Sequence, residues 1–271
     1  MNLNNSFVGR ANDMVRPIVL QYDVFGNADA SVLLMQGNTK ILVSVTLQDG
    51  VPTFLKGQKQ GWLSAEYSML PCAPQKRVVR ESSQQNKNSR SVEISRLIGR
   101  SLRSVVDVYA FPDKTVWIDC DVLSADGGTR VASITAASLA LKIAQSRWIN
   151  SGKISKNFLK EDIAAISVGV VNDKIHLDLD YALDSNASTD FNFIVTRSLK
   201  LIEIQGTAEK EPLSLEMFEE LKKVALSGIQ QVFDSIDKDI QIKELIKNNS
   251  NQNLKENKIP LFSIANRLNN I

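Results

Sequence analysis

Alternation of apolar and polar positions marks the first quarter of the chain. Pro17 to Val24, Ser31 to Gln36 and Ile41 to Leu47 are β-branched and apolar, and Gly37-Asn38 supplies a turn between the last two. Gly57 and Gly61 bracket a polar loop before a short strand, Trp62 to Tyr67. From residue 71 to 90 all periodicity is lost, and a long loop without internal pattern points to a functional segment. At Val92 the period becomes helical, with Ile94, Leu97, Ile98, Leu102, Val105 and Val106 on one face. Val116 to Val122 alternates as a strand and runs through Asp126-Gly127-Gly128-Thr129-Arg130 into a small-residue helix, Ala132 to Trp148.

The second half predicts a strand pair, Ala164 to Val171 and Ile175 to Tyr181, turning at Asn172-Asp173. Another pair follows, Phe191 to Thr196 and Leu199 to Gln205, and then an amphipathic helix, Leu213 to Phe233, capped at Ser214. Residues 238–271 shift to Asn, Lys and isolated aliphatics with Pro260 among them, and read as a partly helical, weakly packed extension. Mixed strand and helix runs predict an α+β or α/β fold of one domain, 1–237, followed by that tail.

With 43% hydrophobic and 23% charged residues the composition fits a folded domain. No apolar run approaches the ~18 residues of a membrane span. Met1 to Asn5 carries no basic stretch followed by an apolar core, so a cytoplasmic protein is expected. Two cysteines, Cys72 and Cys120, and one histidine, His176, exclude a disulfide framework and histidine-rich metal sites. Trp62, Trp117 and Trp148 are assigned to the core, and His176 to a surface strand.

The net charge is only +2, but its distribution is uneven. Lys76, Arg77, Arg80, Lys87, Arg90, Arg96, Arg100 and Arg103 face only Glu81 and Glu93 over the same stretch. A basic loop of this kind can hold an RNA backbone by Coulomb attraction and counterion release, although a solvated face is the plainer explanation. The glycine turn could aim backbone N–H groups at an anion, with Thr129 and Arg130 adding a hydroxyl and a forked cation, although a plain strand-to-helix turn with Thr129 starting the helix is the simpler reading. Asp184 and Asp190 flank a second turn and could converge on one Mg²⁺, although a solvated acidic turn is the plainer explanation. Asp178 and Asp180 alternate with Leu177 and Leu179, which assigns them to the face opposite the core, exposed or behind the metal. Asp119 and Asp121 are read as acceptors for the N–H groups of the glycine turn.

Five motifs then stand in order: Gly50-Val51-Pro52-Thr53-Phe54-Leu55-Lys56-Gly57; Gly61-Trp62-Leu63-Ser64-Ala65-Glu66-Tyr67-Ser68-Met69-Leu70-Pro71; Arg96-Leu97-Ile98-Gly99-Arg100-Ser101-Leu102-Arg103; Asp119 through Arg130; and Gln205-Gly206-Thr207-Ala208-Glu209. From about residue 9 to 236 the chain resembles the ribonuclease PH family of bacterial phosphate-dependent 3′-exoribonucleases. The resemblance implies an α+β domain like domain 2 of ribosomal protein S5, assembled as a homohexamer, a trimer of dimers. It implies trimming of tRNA precursors at the 3′ end, with inorganic phosphate as co-substrate and nucleoside 5′-diphosphates released. It also implies phosphate ligands at Arg90, Gly128, Thr129 and Arg130, a catalytic and Mg²⁺-binding pair at Asp184 and Asp190, and tRNA contacts at Arg77 and Arg80, with Lys76 beside them.

Three positions depart from the family pattern. Cys72 stands where arginine is usual, Ser188 where an aspartate is usual, and Ser89 where a glycine is usual. The alternative is a non-catalytic RNA-binding ring subunit of the exosome-core type, and a metal-dependent hydrolytic nuclease is a third reading. Retention of the arginines and the acidic pair favours the enzyme.

Overall fold

The computed structural model describes residues 10–83 and 88–256; residues 1–9, 84–87 (with Lys87) and 257–271 (with Pro260) lie outside them. In chain order the strands are β1 (Ile18–Tyr22), β2 (Ala30–Gln36), β3 (Thr39–Asp49), β4 (Trp62–Met69), β5 (Lys114–Ser124), β6 (Ile163–Val171), β7 (Lys174–Leu177), β8 (Thr189–Thr196) and β9 (Leu201–Ala208). The helices are α1 (Ser89–Ser104), α2 (Thr129–Asn150), α3 (Tyr181–Asp184) and α4 (Leu215–Glu256).

Two sheets result, ordered β1-β2-β3-β5-β4 and β7-β6-β8-β9. All pairings are antiparallel except β4 with β5. Helix α2 packs on β2 and β3 of one sheet and on β6 of the other, α1 covers β4, and α4 packs on β6. Strand β6 and the first half of α2, Val131 to Leu141, have no solvent face and meet at the centre, which explains their continuous apolar or small residues. All of β6 is buried, and α2 is buried over nearly every residue from Val131 to Leu141. Two of the α2 hydroxyls in this core, those of Thr135 and Ser138, bridge to β6. Thr135 Oγ1 accepts from the Ala165 N–H at 3.0 Å, and Ser138 Oγ accepts from the Ile163 N–H at 2.9 Å.

Several expectations need correction. The strand expected to reach Tyr181 ends at Leu177, because Asp178, at φ 55°, turns inward to meet Arg16. Only Trp148 is a core tryptophan; Trp62 is half-buried beneath the Arg103 guanidinium at 4.6 Å, and the half-buried Trp117 donates to Gln48 Oε1 at 2.9 Å. His176 is half-buried on β7, opposite Gly169. Ser214 does cap helix α4, its Oγ accepting from the Met217 N–H at 3.2 Å, but the helix runs unbroken past Asp237. The first turn beyond that point is not loosely packed: Asp239 accepts from the Tyr22 hydroxyl at 3.1 Å, and Ile240 packs against the core.

Candidate active site

Between the sheets lies a cleft of about 1280 Å³, lined by Lys76, Arg90, Gly128, Thr129, Arg130, Asp184 and Asp190. One wall comes from the β5–α2 connection and the start of α1, the other from α3, β8 and β9.

The glycine turn is held rigidly. Gly127 and Gly128 take φ of +71° and +68°, and a Cβ on Gly127 would lie 2.4 Å from the Leu179 carbonyl oxygen. Only glycine permits that approach. Thr39 Oγ1 accepts from the Asp126 N–H at 3.1 Å and donates to the Gly127 carbonyl at 2.7 Å. Asn38 Nδ2 donates to Asp126 Oδ2 at 3.0 Å, and Arg16 Nη1 donates to the Asp126 carbonyl at 2.5 Å. Those contacts take the role expected of Asp119 and Asp121. These two instead lie on β5 near Glu66, and the carboxyl of Asp119 is pushed up by burial and by its acidic neighbours.

Helix α2 therefore starts at Thr129 with its first N–H groups free of helical partners and no acidic residue in its first turn. Helix α1 also begins at the cleft without an acidic first turn, capped by Asn88, whose Oδ1 accepts from the Arg90 N–H at 3.0 Å. Two positive helix ends share one wall, and Glu81 stands beside that of α1, accepting from the Ser91 hydroxyl. That wall was half visible in the sequence, where the helical period starts only at Val92.

Arg130 is fixed from the opposite sheet: its Nη1 donates to Gln205 Oε1 at 3.1 Å and lies 3.6 Å from Glu93 Oε1. Gln205 Nε2 in turn donates to Glu203 Oε1 at 3.3 Å, and Glu203 Oε2 accepts from Arg100 Nε at 2.6 Å. Sequence reasoning missed Gln205 as a functional side chain, although it opens one of the five motifs.

The acidic wall is built differently from the sequence expectation. Asp180 is not exposed; its Oδ1 accepts from the Leu183 N–H at 2.9 Å and caps the single turn of α3 that ends at Asp184. Asp178 is fully buried and belongs to the scaffold. Asp184 opens to the cleft, and Asp190 is half-buried on β8 opposite Gly169. Burial pushes the Asp184 carboxyl up while Arg90 and Arg130 pull it back. Burial and the neighbouring Asp184 push Asp190 up to about 6, against the pull of Arg130. The two carboxylates and two guanidiniums thus share one electrostatic field. Asp190 Oδ1 is buried and has no hydrogen-bond partner among the described residues, and a cation would satisfy such an oxygen. Among the described residues no group of three or more His, Cys, Asp or Glu could hold a metal alone. A metal on this pair would draw its remaining oxygens from water and phosphate.

Arg77 and Arg80 are exposed on the loop beside the cleft and do not line it, whereas Lys76 does. Cys72 is exposed, Ser89 begins α1, and Ser188 donates its hydroxyl to the Val170 carbonyl at 3.2 Å.

Residues 14–146 match domain 1, and residues 163–228 domain 2, of the 3′ exoribonuclease family. The chain is 47% identical over 227 residues to Ribonuclease PH of Bacillus subtilis, covering 83% of this chain and 93% of the relative. It is 49% identical over 224 residues to Ribonuclease PH of Tropheryma whipplei, covering 82% and 90%. An Archaeoglobus fulgidus exosome with RNA bound to the active site superposes with a TM-score of 0.69 at 20% identity, covering 86% of this chain and 93% of the other, which shows the shared fold. Among the described residues no helix is long and apolar enough to cross a membrane. The chain belongs to the 3′ exoribonuclease family, among its ribonuclease PH members.

Proposed function

We propose that the cleft shortens RNA from its 3′ end by phosphorolysis, with tRNA precursors as substrates. The observation that carries this reading is the pairing of Arg90 and Arg130 on one wall with Asp184 and Asp190 on the other. A hydrolase has no use for a second anion site, whereas phosphorolysis brings two anions into bonding distance and must offset their repulsion. Arg90, Arg130, the Thr129 hydroxyl and the first N–H groups of α2 hold inorganic phosphate. One phosphate oxygen forms a bond to the phosphorus of the terminal phosphodiester, and the bond from that phosphorus to the 3′-oxygen of the preceding nucleotide breaks. The proton that phosphate carries at neutral pH balances the new 3′-hydroxyl, and the terminal residue leaves as a nucleoside 5′-diphosphate. Catalysis is then mainly positioning and charge compensation.

Asp184 and Asp190 fit a Mg²⁺ ion, and the unpartnered Asp190 Oδ1 supports that assignment. When bound, the ion supplies positive charge for the departing oxygen. The exposed Arg77 and Arg80, with Lys76 nearer the cleft, hold the tRNA backbone upstream of the reacting end. The resemblance to the family further supports a cytoplasmic hexamer, a trimer of dimers. The test is chain shortening of a tRNA precursor with and without phosphate: nucleoside diphosphates released only with phosphate support the reading, and monophosphates released without it sink it.

A further inference from the structure

We propose that Tyr67 is a positioning residue for phosphate: its buried hydroxyl donates to Thr129 and so leaves the Thr129 proton for the bound anion. The inference rests on the assignment of Thr129 as a phosphate ligand. Tyr67 sits on β4 at 4% exposure, and its hydroxyl lies 2.9 Å from Thr129 Oγ1, itself on a residue only 7% exposed. A threonine hydroxyl has one proton and two acceptor sites. With one acceptor site filled by Tyr67, the proton needs an acceptor, and among the described residues no protein atom accepts it.

The position of Thr129 in its helix explains why. Ser133 and Thr135, further along α2, donate their hydroxyls to carbonyls one turn back, to Thr129 O at 2.8 Å and Val131 O at 3.1 Å. Thr129 is the first residue of α2, so it has no preceding helical carbonyl to take its proton. Thr129 instead lines the cleft in company with Arg90 and Arg130. Both arginines act on the Tyr67 phenol, opposing the upward push of burial, so the hydroxyl lies within the same cationic field. A phenol is also the better donor of the two hydroxyls, which favours the direction from Tyr67 to Thr129. Tyr67 thereby sets the polarity of a ligand that it does not need to touch.

The test is phosphorolysis kinetics with phosphate varied at saturating RNA, on Tyr67→Phe, Thr129→Val and the double variant, with thermal unfolding alongside. Tyr67→Phe should raise the KM for phosphate about three- to tenfold, the span of one hydrogen bond, while kcat and the KM for RNA stay within about twofold. In the Thr129→Val background Tyr67→Phe should change nothing further, whereas in Thr129→Ser, which keeps the hydroxyl, its effect should return. An equal penalty in the Val background overturns the proposal, because the phenol then acts through packing. So does an unchanged phosphate KM in Tyr67→Phe alone. An unchanged phosphate KM in Thr129→Val overturns the proposal together with the phosphate assignment of Thr129.

Discussion

Arg16 and Asp178 form a buried ion pair, Nη2 to Oδ1 at 2.7 Å, and the Arg16 N–H donates to Oδ2 of the same carboxylate at 2.8 Å. The guanidinium also reaches the Asp126 carbonyl, so one side chain joins the glycine turn to the segment leading to the acidic pair. Burial raises the Asp178 carboxyl, but the attraction and hydrogen bonds of Arg16 outweigh it and hold the group below the usual carboxylate range. Asp178→Asn leaves a buried guanidinium unpaired and should cost about 3–5 kcal/mol in denaturant unfolding. The folded value lies below the unfolded one, so this contribution is present above about pH 4 and is lost as pH falls through the folded value. Wild type should therefore lose stability on acidification more steeply than Asp178→Asn.

Asp190 has the opposite sign. Its folded value of about 6 lies above the unfolded value, so without metal the folded protein holds this proton more tightly. Its contribution favours folding at low pH and fades as pH rises from about 4 through 6. Asp190→Asn should accordingly raise stability at pH 7 in metal-free buffer by about 1–2 kcal/mol while turnover collapses. A thermal scan and a phosphorolysis assay on the same preparation check both halves.

Two glycines separate backbone conformation from close approach. Gly127 and Gly152 have nearly the same φ, +71° and +72°, but a Cβ at Gly152 meets nothing within 4 Å. Gly152→Ala should cost about 1 kcal/mol, from conformation alone, and leave activity intact. Gly127→Ala must also displace the Leu179–Asp180 backbone, and should lose activity and roughly twice as much stability or more. Equal Tm losses in the two variants would contradict this.

Replacing Arg77 and Arg80 together with alanine should weaken processing of a tRNA precursor more than shortening of a short oligonucleotide. Each lost phosphate contact should also reduce the slope of log affinity against log salt by about one unit. Binding isotherms at several salt concentrations measure this directly.

A hexamer built from closed contacts should appear by light scattering at micromolar protein. A persistent monomer there would count against the ring.

Periodicity placed most of the strands and helices, because hydrophobic alternation records which face is buried. It failed where a long-range partner overrides the local pattern. Asp178 and Asp180 alternate with leucines as surface residues do, yet Arg16, distant in sequence, draws one inward and the other caps α3. Thr129 and Arg130 within a motif, and Arg90, Asp184 and Asp190 outside the motifs, were nameable in advance and converge on one cleft. Gln205 and Tyr67 were in view as motif letters only; their action on Arg130 and Thr129 is a contact across elements that spacing does not encode. The packing of Asp239 on Tyr22 was hidden by the composition shift that began the apparent tail.

The placement of α2 against both sheets has a consequence for how such a site can be inherited. Residues 14–146 and 163–228 match separate domains, yet the cations sit in one and the carboxylates in the other. A chain cut at the exposed Gly152 would strip α2 of β6 and Arg16 of its carboxylate. Neither fragment would carry both walls of the proposed site. The two halves are thereby tied into a single heritable unit, each contributing one wall of the proposed site.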